Sequence, residues 1–289
     1  MHLKRLLGAL AMESFLADYF YHRPYSGTGL ATHLTPLGTV DAFASIVTHG
    51  DADVMICRRN EPFAGSPPRD VDAMRDLLGQ GYTILVKHAE RHEARLAEVA
   101  ASFARDFAAD VNIHCYCTPA DEYGFGWHYD AEEVFLVQTV GRKEYSLRKN
   151  TVNPWPLEET LPRDMKYERE IMPLMRCELA SGDWLYVPSG YWHMGRSREL
   201  SISLAIGVMP RTAMDVFDSL RPALLDSIFW RQRLPVAGEA TNMTVDGMEA
   251  AYAKLFGELG QALAQELANP ATARAYLAKL RDQAEPGQV

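Results

Sequence analysis

Apolar residues change their spacing twice along this chain of 289 residues. Before residue 110 and after residue 210 they recur every three or four positions, which predicts amphipathic helices. From residue 111 to residue 208 they alternate with polar residues, which predicts strands with two different faces. The pattern therefore predicts a β-rich core with helices on both of its sequence flanks.

The first flank contains four expected helices and two short expected strands. The helices are predicted at residues 3–21, 40–47, 71–78 and 92–107, and the strands at 54–57 and 82–86. Asp70 directly precedes the third helix, where its carboxylate can accept a hydrogen bond from a first-turn backbone amide.

The central region contains six expected strands separated by turns rich in Gly, Pro, Asn and Asp. They cover residues 111–117, 134–140, 143–147, 177–179, 184–187 and 200–208. Many short strands of this kind indicate a double-sheet roll or barrel. In the last strand, one face is apolar (Ile202, Leu204) and the other is small and polar (Ser201, Ser203). We expect the apolar face to pack on a second layer and the small face to leave room for a ligand.

Beyond Pro210 the helical spacing returns, at residues 213–233, 248–267 and 271–280, with a loop expected at 235–246. We therefore expect two domains, residues 1–210 and a helical region of residues 211–289. These helices can cover the core or form a dimer interface, and we expect a homodimer.

Charge and cysteine content narrow the possible functions. The net charge of −9 argues against broad nucleic-acid binding through a basic surface. Four cysteines in a chain of this length do not form a disulfide framework; Cys115 and Cys117 are either buried small side chains or a metal-binding pair. No apolar run is long enough to span a bilayer, and the N-terminal apolar run continues into a helical pattern, so we expect a cytoplasmic protein.

The pair His128 and Asp130 is the strongest chemical signal in the sequence. Residues two apart on a strand project to the same side, so both can bind one ion from a single strand. A distant histidine, His193, can complete a triangular set of ligands. Two imidazoles and one carboxylate on one face leave the opposite positions open, as non-haem Fe(II) oxygen chemistry requires. A His-x-Asp pattern is short and also occurs by chance, so its context decides its meaning.

Five segments give that context: residues 15–24, 111–119, 124–130 (Gly-Phe-Gly-Trp-His-Tyr-Asp), 134–143 and 182–193. In order and spacing the chain resembles the JmjC/cupin-like Fe(II)- and 2-oxoglutarate-dependent oxygenases, closest to the bacterial ribosomal-protein hydroxylase branch. The resemblance covers most of residues 7–208. It implies a mainly β fold with helices, in which a double-stranded β-helix (jelly-roll or cupin) core follows N-terminal helices and precedes a helical C-terminal segment.

The resemblance also implies roles for individual residues. His128, Asp130 and His193 match the Fe(II) ligands, and Lys143 matches the residue that holds the distal carboxylate of 2-oxoglutarate. A carboxylate in a partly dry barrel needs a charged partner. The alternative for Lys143 is an ordinary surface lysine, in which case the adjacent Arg142 becomes the candidate. Weaker candidates for hydrogen bonds to the cosubstrate are Asn112, Tyr116 and Ser203.

The implied activity is that of a 2-oxoglutarate-dependent dioxygenase, which uses O2 to hydroxylate an amino-acid side chain of a protein or peptide and releases succinate and CO2. Three alternatives stay open: an oxygenase of a free amino acid or natural-product intermediate, an N-methyl demethylase, and a metal-binding cupin without oxidative chemistry. Lys143 distinguishes the last one, because a zinc hydrolase has no evident use for a dicarboxylate anchor. The branch generally carries a dimerisation segment and a winged-helix domain, whereas residues 211–289 read as almost wholly helical.

Overall fold

A computed structural model describes residues 1–162, 165, 167, 172–209, 211–236 and 244–284. For residues 282–284 it describes the backbone alone. Two compact units are distinguished, Met1–Pro210 and Arg211–Val289. Pro210 itself and most of the loop expected at residues 235–246 lie outside the described residues. Within the described ranges, no helix is both long and apolar enough to cross a lipid bilayer.

Where the structure describes it, the first unit combines eleven strands with five α-helices. The strands are β1 (Tyr25–Gly27), β2 (Asp53–Arg58), β3 (Glu61–Pro62), β4 (Thr83–Lys87), β5 (Val111–Thr118), β6 (Glu133–Val140), β7 (Lys143–Arg148), β8 (Met175–Leu179), β9 (Trp184–Val187), β10 (Trp192–Ser197) and β11 (Ser201–Val208). The helices are α1 (His2–Leu7), α2 (Met12–Asp18), α3 (Val40–Val47), α4 (Val71–Gly79) and α5 (Ala94–Phe107). The second unit contributes α6 (Ala213–Asp226), α7 (Val245–Ala268) and α8 (Pro270–Ala284).

The strands form two antiparallel sheets. The larger sheet has the order β1-β9-β6-β11-β5-β4-β2-β3, and the smaller one the order β10-β7-β8. β11 lies at the centre of the larger sheet, where it pairs with β5 on one side and β6 on the other. Two such sheets with flanking helices make a double-stranded β-helix fold, so the predicted fold class is confirmed.

Alternation along the central strands separates the core from a cavity. Ile202, Leu204 and Ile206 on β11 are fully buried in the main hydrophobic core, together with residues of the N-terminal helices. Ser203 and Ala205, on the opposite face of the same strand, line a cavity. The two faces expected from the sequence are therefore confirmed.

Aromatic side chains fix the N-terminal helices against the larger sheet. Phe103 of α5 contacts Phe135 of β6 with ring centroids 5.1 Å apart, and Phe15 of α2 contacts Tyr186 of β9 at 5.3 Å. The indole Nε1 of buried Trp184 donates to the Leu6 carbonyl of α1 at 2.9 Å. Burying large side chains on this face leaves the opposite face of the sheet free to form the cavity.

Some predicted boundaries were wrong. The single helix expected at residues 3–21 is two helices, because Gly8 takes a positive φ of 59° and Ala11 is extended. α6 ends at Asp226 rather than at residue 233, and strands β1, β3 and β10 were not predicted. The Asp70 cap was predicted correctly: its carboxylate accepts a hydrogen bond from the Ala73 amide at 2.8 Å.

Candidate metal centre and adjoining pocket

Backbone pairing between a loop and a strand brings the three candidate ligands together. His128 and Asp130 lie in the loop that joins β5 to β6, and His193 lies on β10. The His128 amide donates to the His193 carbonyl at 3.1 Å, and the His193 amide donates to the His128 carbonyl at 2.8 Å. The expected strand at 128–130 is therefore only an isolated bridge. This bridge fixes the two histidines opposite each other.

The potential ligand atoms of His128, Asp130 and His193 all lie within 4.8 Å of one another. The His193 Nε2 atom is 3.4 Å from the Asp130 Oδ2 atom, and the two imidazole centroids are 4.2 Å apart. Metal–ligand bonds of about 2.0–2.2 Å place two ligands of one ion roughly 3–4 Å apart. The geometry therefore accommodates one ion held by all three side chains.

Backbone carbonyls set the orientation of both imidazoles. The Nδ1 atom of His128 is 2.8 Å from the Gly126 carbonyl, and that of His193 is 3.0 Å from the Tyr191 carbonyl. A carbonyl only accepts hydrogen bonds, so Nδ1 is the protonated nitrogen and Nε2 keeps its lone pair for a metal. Burial, assisted by the neighbouring His128, lowers the pKa of His193 to about 4 and keeps that ring neutral.

A cavity of about 220 Å³ adjoins these three residues. Its wall comes mainly from the inward faces of β5, β6, β7, β10 and β11. The lining includes Thr83, His114, Tyr116, Thr118, Phe125, Glu132, Val134, Leu136, Lys143, Tyr145, Glu158, Gly195, Ser203 and Ala205. Lys143, Tyr116 and Ser203, all predicted from the sequence, are among them.

Lys143 is a buried cation on the cavity wall. Its side chain extends from β7 so that Nζ lies 5.5 Å from the Tyr116 ring centroid and 5.6 Å from that of Tyr145. Among the residues that the structure describes, no carboxylate forms an ion pair with it. Burial lowers the pKa of Lys143 to about 8. A buried ammonium group without a carboxylate is costly, and an anionic ligand in the cavity would compensate it.

Two hydroxyl groups accompany this cation. Ser203 Oγ and Tyr145 Oη are buried, and neither forms a hydrogen bond of normal geometry with a residue that the structure describes. Burial raises the pKa of Tyr145, and the nearby Ser203 hydroxyl opposes that effect only in part. Unsatisfied buried hydroxyls are costly, so both groups fit a site whose remaining partner is a ligand.

Two other candidates are placed elsewhere. Asn112 faces the same side of β5 as Tyr116 but lines an adjoining depression, where its amide donates to Glu132. Arg142 is exposed outside the cavity and forms an ion pair with Glu178 at 3.3 Å. The sheet therefore sends Arg142 outward and Lys143 inward, as strand alternation predicts.

Acidic residues near the metal cluster were not predicted. Glu132 and Glu158 line both the cavity and the depression, and Glu90 lines the depression beside them. Burial raises the pKa of Glu132 to about 7. Glu132 lies two residues beyond Asp130, and that spacing was the only signal in the sequence that could have placed it on the same side.

Two antiparallel sheets around a pair of histidines and a carboxylate define a class of protein: a double-stranded β-helix with a facial cluster of candidate metal ligands. Residues 84–216 match the family model described as JmjC domain. The matched region includes all three candidate metal ligands, His128, Asp130 and His193.

Relatives of known sequence share that region. The chain is 28% identical over 172 residues to a bifunctional lysine-specific demethylase and histidyl-hydroxylase NO66 from Drosophila sechellia, a match that covers 57% of this chain and 26% of that protein. The NO66 protein of Dictyostelium discoideum is 29% identical over 133 residues, covering 45% of this chain and 25% of the relative. The matched region thus spans about a quarter of these relatives.

Solved structures share the fold. The ribosomal oxygenase YcfD from Escherichia coli, in complex with cobalt and 2-oxoglutarate, superposes with a TM-score of 0.63 at 15% identity. That match covers 94% of this chain and 71% of YcfD. A second YcfD structure gives a TM-score of 0.60 at 16% identity. At this level of identity the likeness establishes the architecture.

Proposed function

We propose that this protein is an Fe(II)- and 2-oxoglutarate-dependent dioxygenase that hydroxylates an amino-acid side chain of a protein or peptide, with succinate and CO2 as coproducts. One observation carries the proposal: a His–Asp–His cluster lines the same cavity as Lys143, a buried lysine that has no ion-pair partner among the described residues. A metal-binding cupin without oxidative chemistry needs the first feature but has no use for the second.

The three clustered side chains suit Fe(II). His128 and His193 would bind it through Nε2, and Asp130 through a carboxylate oxygen, which leaves the remaining coordination positions for the cosubstrate and O2. Iron in this site would supply O2 activation coupled to decarboxylation of 2-oxoglutarate. The protein's own part is to hold the ligands on one side and to keep their imidazoles neutral.

The far wall of the cavity suits the distal carboxylate of 2-oxoglutarate. Lys143 would supply the charge, and the hydroxyls of Ser203 and Tyr145 would supply hydrogen bonds. Burial raises the pKa of Tyr116 well above its usual value, so this phenol stays protonated and able to donate. Asn112 is the weakest of the candidates, because its side-chain NH2 group already donates a hydrogen bond to the Glu132 carboxylate.

We infer a protein or peptide substrate for two reasons. Among the similar proteins, NO66 is a lysine-specific demethylase and histidyl-hydroxylase and YcfD is a ribosomal oxygenase, names that refer to amino-acid residues and to the ribosome. Beside the metal cluster, a depression is lined by the acidic residues Glu90, Asp110, Glu132 and Glu158 and by the cations Lys87 and Arg91. The acidic groups outnumber the cations, which favours a polar segment with basic groups. Hydroxylation and N-demethylation begin with the same insertion of oxygen, and the product identifies which one occurs.

The proposal is tested by incubating purified protein with Fe(II), ascorbate and 2-oxoglutarate and measuring succinate. We expect slow succinate formation alone, and faster formation with a library of basic peptides, one of which gains 16 Da. His128→Ala should abolish both signals, whereas His22→Ala, an exposed histidine outside the cavity, should retain them. Absence of succinate under every condition, in a protein that retains zinc tightly, would favour the hydrolytic alternative.

We also propose that the protein is a cytoplasmic homodimer. All four cysteines are free, which suits a reducing compartment. The second unit exposes large apolar side chains, among them Phe217, Ile228 and Phe256, at 43%, 80% and 61% of their surface. Apolar side chains at such density favour association with another copy.

A further inference from the structure

A second His-x-Asp sequence lies outside the cavity. His49-Gly50-Asp51 repeats the spacing of His128-Tyr129-Asp130. His49 follows α3, and Asp51 precedes β2. Both lie beside His92, which lies two residues before the start of α5. None of these three residues lines the cavity or the depression beside it.

The three side chains converge on a single point. His49 Nδ1 contacts Asp51 Oδ1, and His92 Nδ1 lies 3.5 Å from the same oxygen atom. The two imidazole centroids are 4.8 Å apart, and one potential ligand atom from each residue lies within 4.8 Å of the others. A local ion pair would explain the contact between His49 and Asp51. The approach of His92, from a different element, adds a second imidazole to the same carboxylate, so that three potential metal ligands face one another.

We propose that His49, Asp51 and His92 form a second divalent-metal site, which takes Zn²⁺ or another transition ion that accepts imidazole and carboxylate ligands. Tetrahedral zinc with bonds of about 2.0–2.2 Å places its ligand atoms roughly 3.3–3.5 Å apart, which matches the separation between His92 and Asp51. The His92 side chain is only 7% exposed, so its ring is held in place. Asp51 is 77% exposed, so an ion can enter and keep water as its fourth ligand.

The site would link two segments that are distant in sequence. An ion bound there joins the end of α3 to the start of α5, beside the β2–β4 pair of the larger sheet. An ion that binds only the folded chain stabilises it by mass action. We therefore expect zinc to raise the melting temperature even when the candidate iron ligands have been removed.

The test begins with His128→Ala/His193→Ala, which leaves only the second site, and measures Zn²⁺ binding by calorimetry and bound metal by elemental analysis. We expect one equivalent of zinc. Adding His49→Asn or Asp51→Asn, both at exposed positions, should weaken binding at least tenfold and abolish the zinc-dependent rise in melting temperature. The matched control His22→Asn, at another exposed histidine, should change neither.

Two results would overturn the proposal. One is the absence of stoichiometric zinc binding in the double variant, which leaves His49 and Asp51 as an ion pair only. The other is zinc binding that persists unchanged after both His49→Asn and Asp51→Asn. Should the double variant fail to fold, as judged by circular dichroism, the unsubstituted chain decides: it should bind two equivalents, and His49→Asn should bind one. A stoichiometry that His49→Asn does not change would contradict the proposal.

Discussion

Lys143 holds a positive charge in a buried position. Burying a charge costs free energy unless an anion pairs with it, and the proposed role of Lys143 follows from that cost. Replacing it with alanine removes the cation that would pair with the distal carboxylate of 2-oxoglutarate. Hydrogen bonds to charged groups contribute about 1.5–3 kcal/mol, so we expect the apparent KM for 2-oxoglutarate to rise roughly 10- to 100-fold. Steady-state succinate formation measures it. Lys149→Ala is the control, because Lys149 is exposed and lies only six residues after Lys143; it should leave KM unchanged.

The protonation of Lys143 also predicts a pH dependence. Burial lowers its pKa to about 8, so in the empty cavity the ammonium form is fully populated at pH 6 and mostly lost by pH 9. Both carboxylates of 2-oxoglutarate stay ionised throughout this range. We therefore expect the apparent KM for 2-oxoglutarate to rise as the pH increases from 7 to 9, and to vary much less in Lys143→Ala. A wild-type KM that stays flat over this interval would assign the anchor to another group.

At the scale of single residues, the sequence indicated candidates among side chains that carry a charge or bind metals and that lie on a strand with alternating faces. Alternation indicated that Lys143 and Arg142 point in opposite directions, and the family resemblance selected Lys143 as the inward one. Tyr145 shares the inward face of β7, but nothing in the sequence distinguishes a phenol with an unsatisfied hydroxyl from an ordinary core aromatic residue. His49 and Asp51 carried the same spacing as the candidate iron ligands, and only the position of His92 in the fold gives that spacing meaning.

At the scale of elements, β10 supplies more than His193. Gly195 lies on this strand opposite Tyr145, and a Cβ atom there would approach Lys143 Cε to 2.8 Å and Tyr145 Cε1 to 2.9 Å. Both neighbours are buried, so neither can move freely. We expect Gly195→Ala to displace Lys143 and raise the apparent KM for 2-oxoglutarate several-fold, with little effect on iron affinity. An unchanged KM would mean that the lysine stem relaxes without moving its charge.

A matched glycine makes this experiment specific. Gly257 lies within α7, and a Cβ atom there would have no neighbour within 4 Å. Gly257→Ala should therefore leave the KM for 2-oxoglutarate unchanged and should stabilise the helix by about 0.5–1 kcal/mol, since alanine has the higher helix propensity. Thermal unfolding followed by circular dichroism measures the second effect.

Elements with regular patterns were predictable, and those defined by tertiary pairing were not. The α3 helix has the predicted bounds because its apolar residues follow the helical period. β9 has them because its four apolar residues form one short run between two turns. β10 has the sequence Trp-His-Met-Gly-Arg-Ser, in which the alternation of apolar and polar residues ends after three positions. It is a strand because β7 pairs with it. Likewise, the turn at Gly8 follows from a backbone conformation that helical periodicity does not reveal.

At the scale of the whole molecule, the position of the cavity depends on strand order. β11 lies between β5 and β6, and β7 pairs with β10 in the other sheet, so residues distant in sequence share one interior. Alternation predicted which residues of each strand face inward, but it carried no information about which strands are neighbours. The convergence of Asp130, Lys143 and Ser203 on one cavity was therefore inferred from family resemblance, not from periodicity.

The proposed homodimer gives the last prediction at this scale. Phe217 and Ile228 are exposed apolar residues of the second unit, and burying such a side chain contributes about 1.5–3 kcal/mol. We expect the full chain to sediment as a dimer at micromolar concentration, and Phe217→Glu/Ile228→Glu to weaken the dimer by well over tenfold because it places charges in the interface. Val152→Glu, at an exposed apolar residue of the first unit, should leave the dimer intact. A monomeric unsubstituted chain in analytical ultracentrifugation would show that these apolar residues serve another purpose.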